Sequence, residues 1–229
     1  MKSSEETSGR PAARAYSRLD RLLVALDGQL RDATGVRPAA RPDRRSRPYP
    51  GEKADEGRLS PEDRVRVARM MRVNHAGEVA AQALYEGQAV LARSETVRQV
   101  LNRAASEERD HLDWCERRLG ELEATRSRLH RFWYLGSFLI GVLAAARGDR
   151  SSLGFVGETE RQVVKHLERH LERLPRGDRR TRFLLAQMAR DEARHGTAAL
   201  AAGGRRPELC ARVAMRVSAK VMTALAARI

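Results

Sequence analysis

The amino-acid sequence predicts an all-α protein built around a four-helix bundle, and three observations support this prediction. Helix-forming Ala, Leu, Arg and Glu dominate the composition, whereas the aromatic residues that favour strands make up only 4%. After residue 60, apolar residues recur at spacings of three and four, and no convincing period-two strand occurs. Glu and His interrupt the apolar stripes of four predicted helices in a pattern that repeats in the two halves of the chain.

The 229 residues are sufficient for one substantial domain, which we expect to span residues 60–229. We expect residues 1–59 to form a basic, proline-rich N-terminal extension that is partly disordered. Within it, the leucines of Leu19–Leu30 predict a short amphipathic helix, and the prolines and arginines between Arg37 and Gly51 predict a solvated linker.

Six helices are predicted in the domain. Ser60 is a good N-cap and Pro61 suits the first helical position, so a helix is expected to begin there. Breakers that contain glycine or proline separate the later helices. The predicted spans are approximately 61–93, 96–124, 129–147, 151–174, 178–202 and 207–228.

The charge and the cysteine content exclude several classes of protein. A net charge of +14 and a pI near 11.0 favour an anionic partner, either nucleic acid or the negative face of a membrane. Cys115 and Cys210 are too few cysteines for a disulfide-stapled scaffold or a cysteine-based zinc module. The N-terminus has no apolar signal core, which disfavours secretion and fits a reducing cytoplasm.

The apolar segment Phe132–Ala146 is flanked by Arg131 and Arg147. It is too short to span a bilayer comfortably. It fits either a buried core helix or a helix that lies in the membrane interface, and Trp133 and Tyr134 favour the interfacial interpretation. The last predicted helix is basic and fits either a bundle helix or a surface for anionic lipid.

Three predicted helices carry ionisable residues on otherwise apolar faces, and the first helix carries one on a mixed face with small residues beside it. The stripe of the second helix contains a Glu and a His three residues apart, and the stripe of the fifth helix repeats that arrangement. The first and fourth helices each contribute a single Glu. The six residues are Glu78, Glu108, His111, Glu160, Glu192 and His195. By the same periodicity, Glu107 and Glu158 fall on faces that we expect to be solvated.

These six side chains predict a site for two metal ions inside a four-helix bundle. A buried carboxylate without a partner is costly, and two divalent ions would balance four carboxylates. Glu and His three residues apart can reach the same ion because they lie on adjacent turns of one face. Carboxylate and imidazole ligands suit iron or manganese. One Glu-x-x-His motif alone favours a solvated or structural interpretation, but two of them on apolar stripes favour metal binding.

Other polar residues near the stripes have simpler interpretations. His75 and His170 fit hydrogen-bonded structural residues better than ligands, because the set of six is already complete. Asp110 or Asp191 is a candidate for orienting a metal-bound His. Cys115 fits a small core residue near the site rather than a nucleophile.

Four segments that contain the six residues resemble the demethoxyubiquinone hydroxylase family, which comprises bacterial di-iron quinol monooxygenases of ubiquinone biosynthesis. The segments are RVNHAGEVAAQALYEGQ (72–88), SEERDHLDWCERRL (106–119), SLGFVGETERQVVKHLERHL (152–171) and MARDEARHGTA (188–198). The resemblance covers residues 60–229, and the stretch Asn-His-Ala-Gly-Glu is specific to this family among ferritin-like proteins. It implies a ferritin-like four-helix bundle with additional membrane-associated helices.

The resemblance implies a monooxygenase that uses O₂ to hydroxylate the benzoquinol ring of demethoxyubiquinol, a polyprenyl methoxy-methyl-benzoquinol. It implies two iron ions per chain, an external reductant and the six residues above as metal ligands, with Glu108 and Glu192 as bridges. His166 matches a family histidine implicated in relaying electrons or protons. The tyrosine that follows this histidine in animal members is Leu167 here, so a relay through that tyrosine is not expected.

The resemblance further implies a peripheral protein on the cytoplasmic side of the cell membrane, whose partners are the polyprenylated quinol, O₂ and an anionic membrane surface. Other ubiquinone-biosynthesis proteins and a second copy of the chain are further candidate partners, and no nucleic acid is expected. Two alternatives stay open. A tRNA-modifying di-iron hydroxylase suits the positive charge but does not need the apolar Phe132–Ala146 segment. A ferritin-like iron-handling protein needs a cage-forming surface, of which the N-terminal extension gives no sign.

Overall fold

The computed structural model describes residues 17, 20, 23, 47–54 and 57–229 of the chain. Six helices follow one another within residues 57–229, and the described residues contain no β-strand. The helices are α1 (Pro61–Leu91), α2 (Glu95–Glu121), α3 (His130–Ala146), α4 (Asp149–Arg173), α5 (Arg179–Ala201) and α6 (Leu209–Ala226). The prediction of an all-α fold is confirmed, and the six helices lie close to the predicted spans.

Two compact units make up the chain. They are Met1–Pro38 and Ala39–Ile229, and the second unit contains all six helices. Most of the short helix predicted at residues 19–30 lies outside the described residues. The predicted boundary between extension and domain, at residues 59 and 60, stays a prediction.

The start of α1 agrees with the prediction from the sequence. The Ser60 hydroxyl accepts a hydrogen bond from the backbone N–H of Asp63 at 3.1 Å, and Pro61 lies in the first turn. Asp178 caps α5 in the same way, because its carboxylate accepts from the backbone N–H of Thr181 at 3.0 Å. These caps satisfy N–H groups that the first turn of a helix leaves unpaired.

Helices α1, α2, α4 and α5 form a bundle of two pairs. α1 packs along α2, α4 packs along α5, and contacts between α2 and α5 and between α1 and α4 join the pairs. The apolar core of the bundle consists of two clusters. The first cluster includes Met71, Trp114, Leu167 and Met188. The second cluster includes Leu84, Leu101, Val156 and Ala199. In each of the four helices, the predicted metal ligands fall between the residues of the two clusters, so a polar layer lies between two apolar layers.

Residues 47–54, which we call the strap, pack against this bundle. Tyr49 belongs to the first core cluster, and its ring centroid lies 4.4 Å from the guanidinium carbon of Arg117. Arg117 also pairs with Glu52 at 3.2 Å. The prediction of a solvated linker is therefore wrong for residues 47–51, because a buried tyrosine and an arginine contact hold this part of the strap on the bundle.

Helix α3 crosses α1 at two glycines. A Cβ at Gly141 would lie 2.2 Å from the carbonyl oxygen of Leu84, and a Cβ at Gly87 would lie 2.2 Å from the carbonyl oxygen of Phe138. The two backbones can approach this closely only because both residues lack a side chain. The Phe138 ring is buried at the same crossing, so this face of α3 belongs to the core.

The opposite face of α3 exposes large apolar side chains. The exposed fraction is 71% for Phe132, 54% for Leu139 and 61% for Leu143. Helix α6 likewise exposes a row of apolar residues: Leu209, Val213, Val217 and Val221. The core interpretation of α3 thus holds for one face, and the interfacial interpretation stays a prediction for the other. No helix in the described part of the chain is long and apolar enough to cross a membrane.

The Gly141→Ala substitution is expected to destabilise the protein, because its methyl group would enter the space of the Leu84 carbonyl oxygen. We expect the free energy of unfolding to fall by about 1–3 kcal/mol, the range for overpacked positions. Gly136→Ala is the matched control, since no atom lies within 4 Å of a Cβ at that position of the same helix. Alanine should stabilise α3 there through its higher helix propensity. Urea unfolding measures both changes, and equal stability of the two variants would contradict the close crossing.

Candidate metal centre

The structure brings the six predicted ligands together in the polar layer of the bundle. α1 contributes one of them, α2 two, α4 one and α5 two, and all six side chains are buried. They form two groups in which the potential ligand atoms lie within 4.8 Å of one another. The first group is Glu78, Glu108, His111 and Glu192, and the second is Glu108, Glu160, Glu192 and His195. Glu108 and Glu192 belong to both groups, which is the arrangement that bridging carboxylates require.

The inner nitrogens of the two imidazoles face the carboxylates. Nδ1 of His111 lies 3.0 Å from Glu108 Oε2 and 3.1 Å from Glu192 Oε1. Nδ1 of His195 lies 3.1 Å from Glu192 Oε2 and 3.3 Å from Glu108 Oε1. The two ring centroids are 6.4 Å apart. Each Nδ1 is therefore the nitrogen available to a metal ion, and both imidazoles share the same two glutamates.

The outer nitrogens of the imidazoles contact a second pair of carboxylates. Nε2 of His111 lies 3.2 Å from Asp191 Oδ2, and Nε2 of His195 lies 3.0 Å from Glu107 Oε2. Each of these acidic residues directly precedes a shared glutamate in the sequence: Glu107 precedes Glu108 on α2, and Asp191 precedes Glu192 on α5. Such a carboxylate fixes the tautomer and the orientation of the ring. Helices α2 and α5 thus orient each other's histidine.

The sequence analysis identified only one of these two orienting carboxylates. Asp191 was a candidate, whereas Asp110, the other candidate, accepts the backbone N–H of Arg47 at 3.5 Å. The prediction that Glu107 lies on a solvated face is wrong, because the side of α2 next to the stripe faces α5. One signal in the sequence points to it: both Glu-x-x-His motifs have an acidic residue directly before the glutamate.

Four buried carboxylate oxygens inside the cluster accept no well-aligned hydrogen bond, although an imidazole Nδ1 lies within 3.4 Å of three of them. They are Glu78 Oε2, Glu108 Oε1, Glu160 Oε2 and Glu192 Oε1. Burial raises the pKa of Glu78 and of Glu160 well above the ordinary value, because the interior disfavours an uncompensated carboxylate. Buried oxygens that lack well-aligned donors suit a cation, so the cluster could hold a metal ion. That these six residues are the ligands stays a prediction.

The negative charge of the cluster also shifts the pKa of its imidazoles. Burial by itself would lower the pKa of His111, but hydrogen bonds with Asp191 and Glu108 outweigh it and raise that pKa well above the ordinary value. Burial also opposes the ionisation of Glu108, yet hydrogen bonds with His111 and His195 lower its pKa to about 2. Without a cation, protons compensate part of the negative charge of the cluster, and a bound cation would replace them.

Tyr85 is a further residue of the site that the sequence analysis did not identify. Its hydroxyl donates a hydrogen bond to Glu160 Oε1, and its side chain is completely buried. Tyr85 lies two helical turns after Glu78 on the same face of α1, and this spacing is the available signal. Cys115 is buried nearby, and burial raises the pKa of its thiol well above the ordinary value, so it is the core residue that was predicted.

The remaining candidates lie outside the cluster of six. The His166 ring packs against His170 with 4.1 Å between centroids, and burial lowers the pKa of His166 to about 4. A role of His166 in relaying electrons or protons stays a prediction. Nε2 of His75 lies 3.4 Å from Glu116 Oε1, which fits its structural interpretation. Glu158 is buried rather than solvated, contrary to expectation, because Arg161 and Gln162 cover its carboxylate.

Comparison with known proteins identifies the family. Residues 65–226 match the family described as Ubiquinone biosynthesis protein COQ7. The chain belongs to this family. The COQ7-family assignment confirms the resemblance that the four sequence segments indicated, and it covers all six residues of the cluster.

Relatives in three bacteria are named 3-demethoxyubiquinol 3-hydroxylase. The relative from Nitrosococcus oceani is 49% identical over 210 residues, which cover 92% of this chain and 96% of the relative. The relative from Ralstonia pickettii is 48% identical over 222 residues, which cover 92% of this chain and 100% of the relative. The relative from Azoarcus sp. is 45% identical over 210 residues, which cover 92% of this chain and 99% of the relative. The similarity thus extends over nearly the whole of each pair of chains.

Glu107→Gln tests the orienting role of this carboxylate. The neutral amide would weaken the contact with His195 Nε2 and the ion pairs of Glu107 with Arg103 and Arg194. We expect the affinity for Fe²⁺ to fall by about tenfold, the lower end of what loss of such a partner causes. Anaerobic equilibrium titration with Fe²⁺ measures the change. Glu95→Gln on the same helix is the control, because the Glu95 side chain is 64% exposed and its described contacts are with Arg98 and Gln99 in the first turns of α2. Equal Fe²⁺ affinity of both variants would contradict the assigned role.

Proposed function

We propose that this chain is a 3-demethoxyubiquinol 3-hydroxylase that uses two iron ions, O₂ and an external reductant. The reaction is the hydroxylation of the benzoquinol ring of a polyprenylated quinol. The observation that carries the proposal is the cluster of four buried glutamates and two histidines, in which Glu108 and Glu192 are shared by two potential metal positions. Membership of the COQ7 family favours this function over the tRNA-modifying and iron-handling alternatives.

The donor set supports iron. Four carboxylates carry four negative charges, which two divalent ions would neutralise, and this balance removes the cost of burying them together. Carboxylate oxygens and imidazole nitrogens are the ligands of non-haem iron proteins that react with O₂. Two iron ions bound there would supply the redox chemistry and the open coordination positions for O₂ activation.

The residues of the chain have separate tasks in this proposal. The Nδ1 atoms of His111 and His195 would bind the iron ions. The carboxylates of Asp191 and Glu107 keep both rings in the orientation that this binding needs. The two apolar clusters on either side of the polar layer exclude water from the reacting centre. Tyr85 holds its hydroxyl proton at Glu160 Oε1 and so orients that carboxylate.

We further propose that α3 and α6 bind peripherally to the cytoplasmic side of the cell membrane. A polyprenyl tail leaves the membrane at a cost of roughly 0.8 kcal/mol per CH₂ group, so an enzyme that meets its substrate at the bilayer avoids this cost. The exposed apolar residues of α3 and α6 would enter the interface. Arg212, Arg216 and Lys220 lie along α6 at spacings of four, and each would contribute roughly 1 kcal/mol near anionic lipid.

Turnover with labelled oxygen tests the proposed reaction. Protein loaded with two equivalents of Fe²⁺ and supplied with a reductant is exposed to ¹⁸O₂ and a short-tailed demethoxyubiquinol. We expect a product whose mass shows one added ¹⁸O atom. Glu192→Gln should reduce this activity by at least about 100-fold, because loss of a shared ligand should exceed the loss of an outer partner. Glu172→Gln, at an exposed position of α4, is the control. Iron-loaded protein that forms no hydroxylated product would refute the proposal.

Liposome binding tests the membrane proposal. Leu139→Ser combined with Leu143→Ser removes two exposed apolar side chains of α3, and we expect binding to anionic vesicles to weaken by at least about tenfold. Iron binding and turnover of a short-tailed quinol should be unchanged. Phe183→Ser is the matched control, because Phe183 is 54% exposed but lies on α5. A loss of binding that is the same for the control would contradict the assignment of the surface to α3.

A further inference from the structure

The strap contributes an arginine to the surroundings of the metal centre. Nη1 of Arg47 lies 2.8 Å from Oδ2 of Asp191, the same oxygen that is in contact with Nε2 of His111 at 3.2 Å. We propose that Arg47 is a positioning residue of the metal centre, acting on His111 through Asp191. The inference rests on the proposed function, because it assumes that His111 is a metal ligand.

The contacts of Asp191 fix the orientation of its carboxylate. Its Oδ1 accepts hydrogen bonds from Gln187 at 2.9 Å and from Arg194 at 2.8 Å, and its Oδ2 receives Arg47 on one side and His111 on the other. Only 2% of the Asp191 side chain is exposed. Without Arg47, the oxygen that faces His111 would lose its cationic ion-pair partner.

The strap holds Arg47 at this position. The guanidinium carbon of Arg47 lies 5.0 Å from the ring centroid of Trp114, and the indole N–H of Trp114 donates to the Arg47 carbonyl oxygen at 3.4 Å. The same indole packs 5.3 Å from the His111 ring. Burial of Tyr49 two residues later ties the strap to the core. Trp114 thus holds Arg47 in place, and the polar contacts from Arg47 to His111 run through Asp191.

The other half of the centre is built differently. Glu107, which orients His195, pairs with Arg103 and Arg194, both from helices of the bundle and both largely exposed. Arg47, by contrast, comes from a segment before the bundle and is two-thirds buried. Loss of Arg47 should therefore affect the metal position at His111 and spare the position at His195. The two metal positions would then differ in how tightly they retain their ions.

Iron release measures this difference directly. Full-length protein loaded with two equivalents of Fe²⁺ is mixed anaerobically with a ferrous chelator, and the release of each iron is followed by absorbance. In Arg47→Gln we expect one of the two release phases to accelerate by about tenfold, the scale of an orienting contact, while the other stays within about twofold of the wild type. Arg47→Lys should restore part of the slow release, because it retains the charge but not the planar guanidinium.

Two controls separate positioning from a general structural effect. Arg161→Gln removes a similarly exposed arginine from another buried carboxylate, Glu158, and should leave both release phases unchanged. In an Asp191→Asn background, Arg47→Gln should cause no further acceleration, because the proposed route runs through Asp191. Melting temperatures of the metal-free proteins monitor folding.

The inference is overturned if Arg47→Gln releases both irons at wild-type rates, or if its effect persists in the Asp191→Asn background. Equal acceleration of both phases together with a lowered melting temperature would assign Arg47 a structural role and would also overturn it. A wild-type protein that binds no iron would refute the proposed function itself. A wild-type protein that binds two irons, with Arg47→Gln indistinguishable from it, would refute only the role of Arg47.

Discussion

Four carboxylates buried at one level of a helical bundle are the constraint on which the rest of this structure depends. The interior cannot stabilise so much negative charge without compensation, and four buried oxygens of these groups accept no well-aligned hydrogen bond. Each bundle helix therefore interrupts its apolar face at the same level, and the apolar clusters above and below separate this level from water. The cluster could hold a cation, which would compensate the charge that two imidazoles and shared protons compensate only in part.

The orienting carboxylates tie the two halves of the bundle to each other. Glu107 on α2 contacts His195 on α5, and Asp191 on α5 contacts His111 on α2. Neither helix pair can complete its own set of contacts, so the site exists only when both pairs are packed together. The strap extends this dependence to a segment before the bundle, because Arg47 pairs with Asp191 at 2.8 Å.

The outer helices follow from a different requirement. Helix α3 packs against α1 through a close crossing at Gly87 and Gly141. The opposite face of α3, which includes Phe132, Leu139 and Leu143, is exposed and apolar, as is the row of valines on α6. An exposed apolar surface of this kind marks a site for a partner protein, a membrane or an apolar ligand, and the membrane is the partner proposed above.

The sequence by itself determined the helices and the six central residues, because both depend on local periodicity. A cap such as Ser60 and a stripe broken at Glu108 and His111 are visible along a single helix. Only the tertiary structure decided that Glu107 faces α5 and that Arg47 reaches Asp191. Periodicity gives the direction of a side chain around its own helix, but it does not show which neighbouring helix lies in that direction. Arg47 lies in an irregular segment, where the sequence has no periodicity from which the direction of a side chain could be read. Contacts between residues far apart in the chain are therefore decided by packing.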